Sequence, residues 1–464
     1  MTAWRDAKRI LCVRLDNMGD VLMTTPAMQA LKDSDPSRHL TLLTSSGAAA
    51  LASHLPMIDT LLTWDAPWVK GNGTGNRTAS SVLPWAQRLQ AARFDAAVIF
   101  TVYSQNPLPA ALLCTMAGIP LRLAHCRENP YELLSDWVPE TEPQTQVRHE
   151  TQRQLDLVAT VGAVPADTRL RFRVQPHDRR AVQRLLQRWQ GDGEPEGAVS
   201  RRCVVMHPGA TAESRRWPAP RFAEVARTLA EQDGALVLLT GGVSEQPLVD
   251  TVCRAAGHPR VTGIAGELTL GQMGALIEHA DLLISNNSGP VHLSAALGTP
   301  VVDLYALTNP QHTPWQVPHR TLYADVPCRY CYKSVCPQQH HRCLNDVGVP
   351  DVVAAARELL AGAPAATDAL PPLAVPAPVM PRCRRYAPVA RCWPPESDTR
   401  NRAEEPPCTR LESTPPITTP PPAWCATARS SPRRKTNGSR TSSTASARCR
   451  LRPGSCPTMR STTA

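Results

Sequence analysis

Residues 9–31 (RILCVRLDNMGDVLMTTPAMQAL) decide the fold class. Residues 9–15 form a short apolar run that reads as a buried strand. A turn over residues 16–19 follows, and residues 20–31 read as a helix. A buried strand that passes at once into a helix begins a parallel α/β unit. Gly19-Asp20 sits where the strand gives way to the helix. An Asp at a helix start serves most often as a cap, and pattern alone favours that reading over a catalytic role.

The alternation continues on both sides of a linker. In the first 160 residues, 39–44 and 95–100 (DAAVIF) read as strands, and 107–117 and 150–161 as helices. Residues 70–81 (KGNGTGNRTASS) are a polar, Gly-rich loop, longer than a connector needs to be. From about Pro165 to Arg202 runs a linker holding one amphipathic helix, residues 178–189, and the turn-rich 191–195. The pattern then restarts, with strands over 203–206, 236–239, 282–285 and 301–305. Helices are expected over 221–232, 270–279, 290–296 and 351–360. The expectation is two Rossmann-like domains facing a central cleft: residues 1–175, a linker over 176–202, and residues 203–362. Ligands of open α/β sheets bind beyond the carboxyl ends of the strands.

Charge divides the chain as sharply as pattern does. Residues 1–362 carry 34 basic and 34 acidic side chains, so the net charge of +10 comes from 16 basic and 6 acidic residues after 362. The basic balance therefore says nothing for nucleic acid binding by the folded part. Residues 363–464 hold 19 of the 46 prolines and show no period of 2 or 3.6. Such a Pro/Arg/Ser-rich segment buries too little apolar surface to offset chain entropy, and we read it as a disordered tail. A basic arm for nucleic acid or membrane is the alternative. No signal-peptide pattern follows Met1, and no apolar stretch reaches the roughly 18 residues of a membrane span. A cytoplasmic protein is expected, with Cys12, Cys114, Cys203 and Cys253 as reduced core residues.

Three strand-to-helix junctions in the second half have the makings of a phosphate cradle. They are residues 207–211 (HPGAT), 240–245 (TGGVSE) and 285–289 (SNNSG), the last just before a helix carrying His292. Small residues let the backbone approach an anion, and a helix N-terminus offers it free N–H groups. Plain turns use the same residues, so it is their repetition that points to a nucleotide or sugar-phosphate site. No junction has the Lys of a P-loop, and none matches G-x-G-x-x-G after the first strand, which excludes the NTPase and dinucleotide readings. Arg215-Arg216 suits the oxygens of a diphosphate, or is a solvated pair. His125 and His149 read as structural.

Residues 9–31, the stretches Pro208-Gly209-Ala210 and Arg215-Arg216-Trp217-Pro218, and residues 285–297 (SNNSGPVHLSAAL) together resemble glycosyltransferase family 9. That family includes the ADP-heptose:lipopolysaccharide heptosyltransferases, and the resemblance covers about residues 8–361. It implies an α/β GT-B fold, with acceptor bound by the first half and nucleotide-sugar by the second. It implies that Asp20, the Asp of the Met-Gly-Asp motif, is the general base of an inverting, metal-independent transfer. Arg215 matches a donor-phosphate Lys, Thr211 a phosphate-contacting Thr and Glu245 a ribose-binding Glu. Leu268 matches an apolar residue packed on adenine, and Ser288, Gly289 and His292 the phosphate-binding turn and helix. Asn287 departs from the pattern, which has a sugar-contacting Asp there. The implied partners are an ADP-heptose donor and a glycolipid or glycan acceptor, with peripheral contact at the cytoplasmic face of the inner membrane and no nucleic acid. No cofactor is implied for catalysis.

Cys328, Cys331, Cys336 and Cys343 fall within sixteen residues, with His340 and His341 beside them. Four thiolates at that spacing can hold a structural Zn²⁺; free thiols packing the 328–343 loop, or a labile disulfide, are the alternatives. Two other functions fit the same fold: a nucleotide-sugar-binding protein without turnover, and a transferase using another nucleotide-sugar.

Overall fold

The computed structural model describes residues 2–69, 79–190, 202–306, 308–331 and 333–362. The readings for the tail, for most of the Gly-rich loop and for the 191–195 turns lie outside these residues.

The first half opens with α1 (Thr2–Asp6), β1 (Arg9–Arg14) and α2 (Met18–Asp33). It continues through β2 (His39–Thr44), β3 (Thr60–Thr63), α3 (Val82–Ala92), β4 (Ala96–Ile99) and α4 (Leu108–Met116). It closes with β5 (Leu121–Cys126), β6 (Asp136–Pro139) and α5 (Glu150–Ala159). Its six strands are parallel in the order β3-β2-β1-β4-β5-β6. After α6 (Pro176–Gln190), the second half runs β7 (Cys203–His207), α7 (Ala219–Gln232), β8 (Leu236–Leu239), α8 (Gln246–Ala256) and β9 (Val261–Gly263). It ends with α9 (Leu270–His279), β10 (Leu282–Asn286), α10 (Gly289–Leu297), β11 (Val301–Leu304), β12 (His319–Leu322), α11 (Arg342–Asn345) and α12 (Val349–Leu360). These strands too are parallel, in the order β12-β11-β10-β7-β8-β9. Among the described residues no helix is long and apolar enough to cross a membrane.

The central strands read as apolar runs because helices cover both faces of each sheet. Ile10 and Cys12 of β1 look into one core with Leu22 and Met28 of α2, while Leu11 and Val13 look into another with Ile99 and Leu113. In the second half Val205 and Leu283 join the first of these cores, and Val204 and Ile284 face a third beneath α7 and α12. One apolar core therefore runs on from half to half.

The helix expected inside the linker is α6, and it is bound to the second half. Val182 and Leu186 are buried in the shared core, and the buried Asp178 lies where a side chain on Gly271 of α9 would fall. The segment before it is held as well: Phe172 stacks on His54 of the first half at 4.5 Å and fills the space over Gly274.

In both sheets strand order reverses beside the first strand of the half, between β1 and β4 and between β7 and β10. Chains leave in opposite directions there and open a crevice at the carboxyl ends of the strands. The Asp16–Asp20 turn lies at one reversal, and the 207–211 and 286–289 turns lie at the other.

Candidate active site

The two crevices meet through the N-termini of two helices. An ideal Cβ on Gly19, in the first turn of α2, would lie 2.7 Å from His292 Cδ2 on α10. A Cβ on Gly289, at the start of α10, would run into the Met18 methyl group. Glycine at both positions lets the helix ends touch, and both ends carry free backbone N–H groups with positive dipole ends. Asp20 stands in that first turn of α2, with 19% of its side chain exposed.

Behind Asp20 is a fully buried cation. Arg14, the last residue of β1, places Nε 3.1 Å from Asp16 Oδ2, Nη1 3.1 Å from Glu150 Oε1 and Nη2 3.4 Å from Asp20 Oδ1. Burial works against the Arg14 charge, but Asp16, Glu150 and Asp20 outweigh it and raise its pKa. Burial pushes the carboxyls of Asp16 and Glu150 up, against the opposing pull of Arg14. Arg153, 3.8 Å from Glu150, pairs in turn with Glu140. Charges scattered over positions 14, 16, 20 and 150 are one cluster, which no local motif announced.

In the second half the three expected junctions come together, and a single side chain ties two of them. Asn286, fully buried at the end of β10, donates from Nδ2 to the Pro208 carbonyl (2.7 Å) and accepts at Oδ1 from the Trp217 N–H (3.0 Å). Trp217 is buried in turn, its indole donating to the Val347 carbonyl at 3.2 Å. Glu245 accepts at Oε2 from the Gly242 N–H (2.8 Å), and its carboxylate fills the space over Gly209. The second junction therefore packs on the first. A Cβ on Gly266 would lie 3.2 Å from Val243 Cγ2, so the loop carrying the half-buried Leu268 rests against the same turn.

Arg215 and Arg216, adjacent in sequence, part company. The Arg216 Nε–H donates to the Ala210 carbonyl at 2.7 Å, which ties that side chain to the turn. The Arg215 guanidinium lies 5.8 Å from the Tyr305 ring centre, a cation–π distance, and its charge is felt at His292. Burial, with Arg215 adding to it, pushes His292 down to about 4, and its Nδ1 is buried without a hydrogen-bond partner. Thr211 is exposed at the end of the first junction, and the Ser288 hydroxyl donates to the Asn286 carbonyl at 3.1 Å. The structure thus gathers Asp20, Ser288, Gly289 and His292 at the meeting of the helix ends. Glu245, Thr211, Arg215 and Leu268 follow along the turns of the second half.

Asn287 points elsewhere. Both of its amide hydrogens are used inside the fold, on Asp303 Oδ2 (3.0 Å) and on the His312 carbonyl (2.9 Å). Only Oδ1 is left without a partner, and it is buried.

The four cysteines of the 328–343 loop line one small cavity with His341, Ser214 and Thr308. Burial raises the Cys343 thiol, and its neighbours Cys336, Cys328 and Cys331 add to the effect. As they stand, no group of three or more His, Cys, Asp or Glu side chains among the described residues is arranged to hold a metal ion. What the loop does show is mechanical. Ser214 bonds through its N–H to the Ser334 carbonyl (3.3 Å) and through its hydroxyl to the Lys333 carbonyl (2.9 Å), which braces the turn presenting Arg215.

His149 is structural, as expected from sequence, in a specific way. Its Nδ1 accepts from the Thr151 N–H at the start of α5, and its Nε2 donates to the Thr313 carbonyl of the second half (2.8 Å). His125 is buried, with Nε2 bonded to the Arg153 carbonyl at 3.1 Å.

Lipooligosaccharide heptosyltransferase 2 of Campylobacter jejuni is 30% identical over 165 residues, 34% of this chain and 51% of that protein. The chain thus matches about half the length of that relative. Lipopolysaccharide heptosyltransferase 3 of Escherichia coli is 26% identical over 355 residues, 74% of this chain and 95% of the relative. The solved ADP-heptose lps heptosyltransferase II of E. coli superposes with a TM-score of 0.59 at 21% identity, covering 76% of this chain and 99% of that one, which establishes the GT-B fold. The sequence model of glycosyltransferase family 9 (heptosyltransferase) matches residues 82–341. With more than half of its length inside that match, the chain belongs to glycosyltransferase family 9.

Proposed function

We propose that the chain is an inverting glycosyltransferase that moves a heptose from an ADP-activated donor to a lipopolysaccharide-core or related glycan acceptor. The observation that carries this reading is the meeting of α2 and α10, which sets a carboxylate beside a helix end suited to phosphate. Asp20 takes the proton of the acceptor hydroxyl as that oxygen attacks the anomeric carbon. The bond from that carbon to the diphosphate breaks on the opposite face, so the configuration inverts. Negative charge gathering on the departing ADP meets the N–H groups of α10 and the Arg215 guanidinium, and the reaction needs no metal. The enzyme works at the cytoplasmic face of the inner membrane on a peripherally reached acceptor.

Two measurements test the reading. Asp20→Asn is expected to leave donor binding nearly intact and to cut turnover by roughly 10²–10⁴-fold, the range for losing a general base. Full turnover in that variant would refute Asp20 as base. Transfer is also expected to persist in EDTA, and a loss that Mg²⁺ alone restores would overturn the metal-free step.

Asn287 favours a second reading of the donor sugar. With both amide hydrogens spent, it offers a ligand at most one neutral acceptor, where the family pattern has a carboxylate. A panel of ADP- and UDP-linked sugars, scored by thermal shift, decides the sugar, because a ligand that binds only the folded state raises the melting temperature.

A further inference from the structure

We propose that Arg14 is the positioning residue of the reaction: its buried guanidinium holds one oxygen of Asp20 and leaves the other aimed at the acceptor. The inference rests on the reading of Asp20 as the base.

A guanidinium removed wholly from water is costly unless carboxylates surround it. Arg14 meets one carboxylate on each of three nitrogens, drawn from the β1–α2 turn, from α2 and from α5. These three are not equivalent. Glu150 is fully buried, where it also accepts from the Gln154 amide (2.7 Å) and lies 3.8 Å from Arg153. Asp16 is nearly buried and bonded by the Gln105 amide. Asp20 is the most open of the three, with 19% of its side chain exposed against 10% for Asp16, and its single side-chain partner among the described residues is Arg14.

The contact falls on Oδ1. Oδ2 has no hydrogen-bond partner among the described residues, so it is the oxygen left to accept a proton. From the facing side, α10 brings the unprotonated His292 ring against Gly19 and no carboxylate. When Asp20 takes a proton, Arg14 still has Asp16 and Glu150 to balance its charge, so the buried cation is never stranded during a cycle. A base held this way needs no reorientation before attack, and small errors in such placement are expensive in rate.

A double-mutant cycle in the full chain separates positioning from bulk stabilisation. Transfer is measured at saturating acceptor for wild type, Arg14→Met, Arg14→Lys, Asp20→Asn, and each Arg14 variant combined with Asp20→Asn. We expect Arg14→Met to lower kcat by roughly 10–100-fold while KM for the donor stays within about two-fold, the signature of a misplaced group rather than lost binding. Arg14→Lys, which keeps a point charge, should recover about ten-fold of that loss. In the Asp20→Asn background the Arg14 changes should cost less than about three-fold more, since they act through a carboxylate that is already gone. Equal losses in both backgrounds, or kcat and KM moving together without rescue by lysine, would overturn the proposal. Should Arg14→Met fail to fold, Arg14→Lys in the two backgrounds decides alone: a loss confined to the Asp20 background supports positioning, and a loss in both refutes it. Full activity in Asp20→Asn sinks the base itself, an outcome distinct from either.

Discussion

The two sides of the cleft hold their working groups by opposite means. In the first half the turn after β1 is organised by charge: one buried guanidinium and three carboxylates within 3.4 Å of it. In the second half the turns after β7 and β10 are pinned to each other by a neutral amide, Asn286, and charge enters only from their flanks, through Arg216 on the Ala210 carbonyl and Glu245 over Gly209. A site that must take a proton benefits from a fixed countercharge behind the base. A site that must receive a diphosphate benefits from small residues and open N–H groups, with its cation, Arg215, braced at the rim. On the proposed mechanism, one fold used twice divides acid–base and anion chemistry between its copies.

The neutral side is easiest to break at its pin. Asn286→Ala leaves the Trp217 N–H and the Pro208 carbonyl buried and unpaired, at an expected cost of about 2–4 kcal/mol of stability. Urea unfolding measures this, and a donor KM raised in the same variant would show that the pin also shapes the phosphate turns. An unchanged midpoint would mean that the junctions hold themselves.

The contact between the sides breaks next. Gly19→Ala forces a methyl against the His292 ring, and overpacking of this kind costs about 1–3 kcal/mol. The expected result is a lower melting temperature together with a fall in kcat, because Asp20 rides on the displaced turn. His292→Ala in that background should restore part of the stability by making room.

The smallest effect concerns protons. Burial holds both His149 and His292 down to about 4. The unfolded chain therefore binds protons that the folded chain refuses between about pH 6.5 and 4, and stability must fall as pH drops through that window. His149 has a structural reason to refuse, since its Nδ1 is an acceptor for the Thr151 N–H. His149→Gln is expected to flatten the acid side of a Tm-against-pH curve; an unchanged slope would assign the acid sensitivity elsewhere.

Much of this was legible from sequence, for reasons that also mark the limit. β1, β2, α9 and β8 were readable because apolar runs and helical periods survive without neighbours. The strands β3, β5, β6, β9 and β12 were not: each lies at or beside a sheet edge, where pairing rather than composition makes the strand. The second-half junctions were visible as clusters of small residues. Asn286 was not, since nothing in an amide's sequence context says that it will span two turns. Arg14 was visible only as a charge inside an apolar run, and its partners stand 2, 6 and 136 positions away. α6 looked like a linker helix because its apolar face gave no hint of which half it would choose.

Asn287 and Asp303 have a consequence for how this chain can change over generations. The amide gives both hydrogens to Asp303 and to the His312 carbonyl, so a carboxylate at 287 would meet two oxygens at about hydrogen-bond distance with nothing to donate. An Asp at 287 alone would be penalised, and loss of Asp303 alone would leave the amide half idle. The two positions are therefore expected to change together. Sequences that carry an acidic residue at 287 are expected to lack the acid at 303, so a comparison of relatives at these two positions tests the coupling.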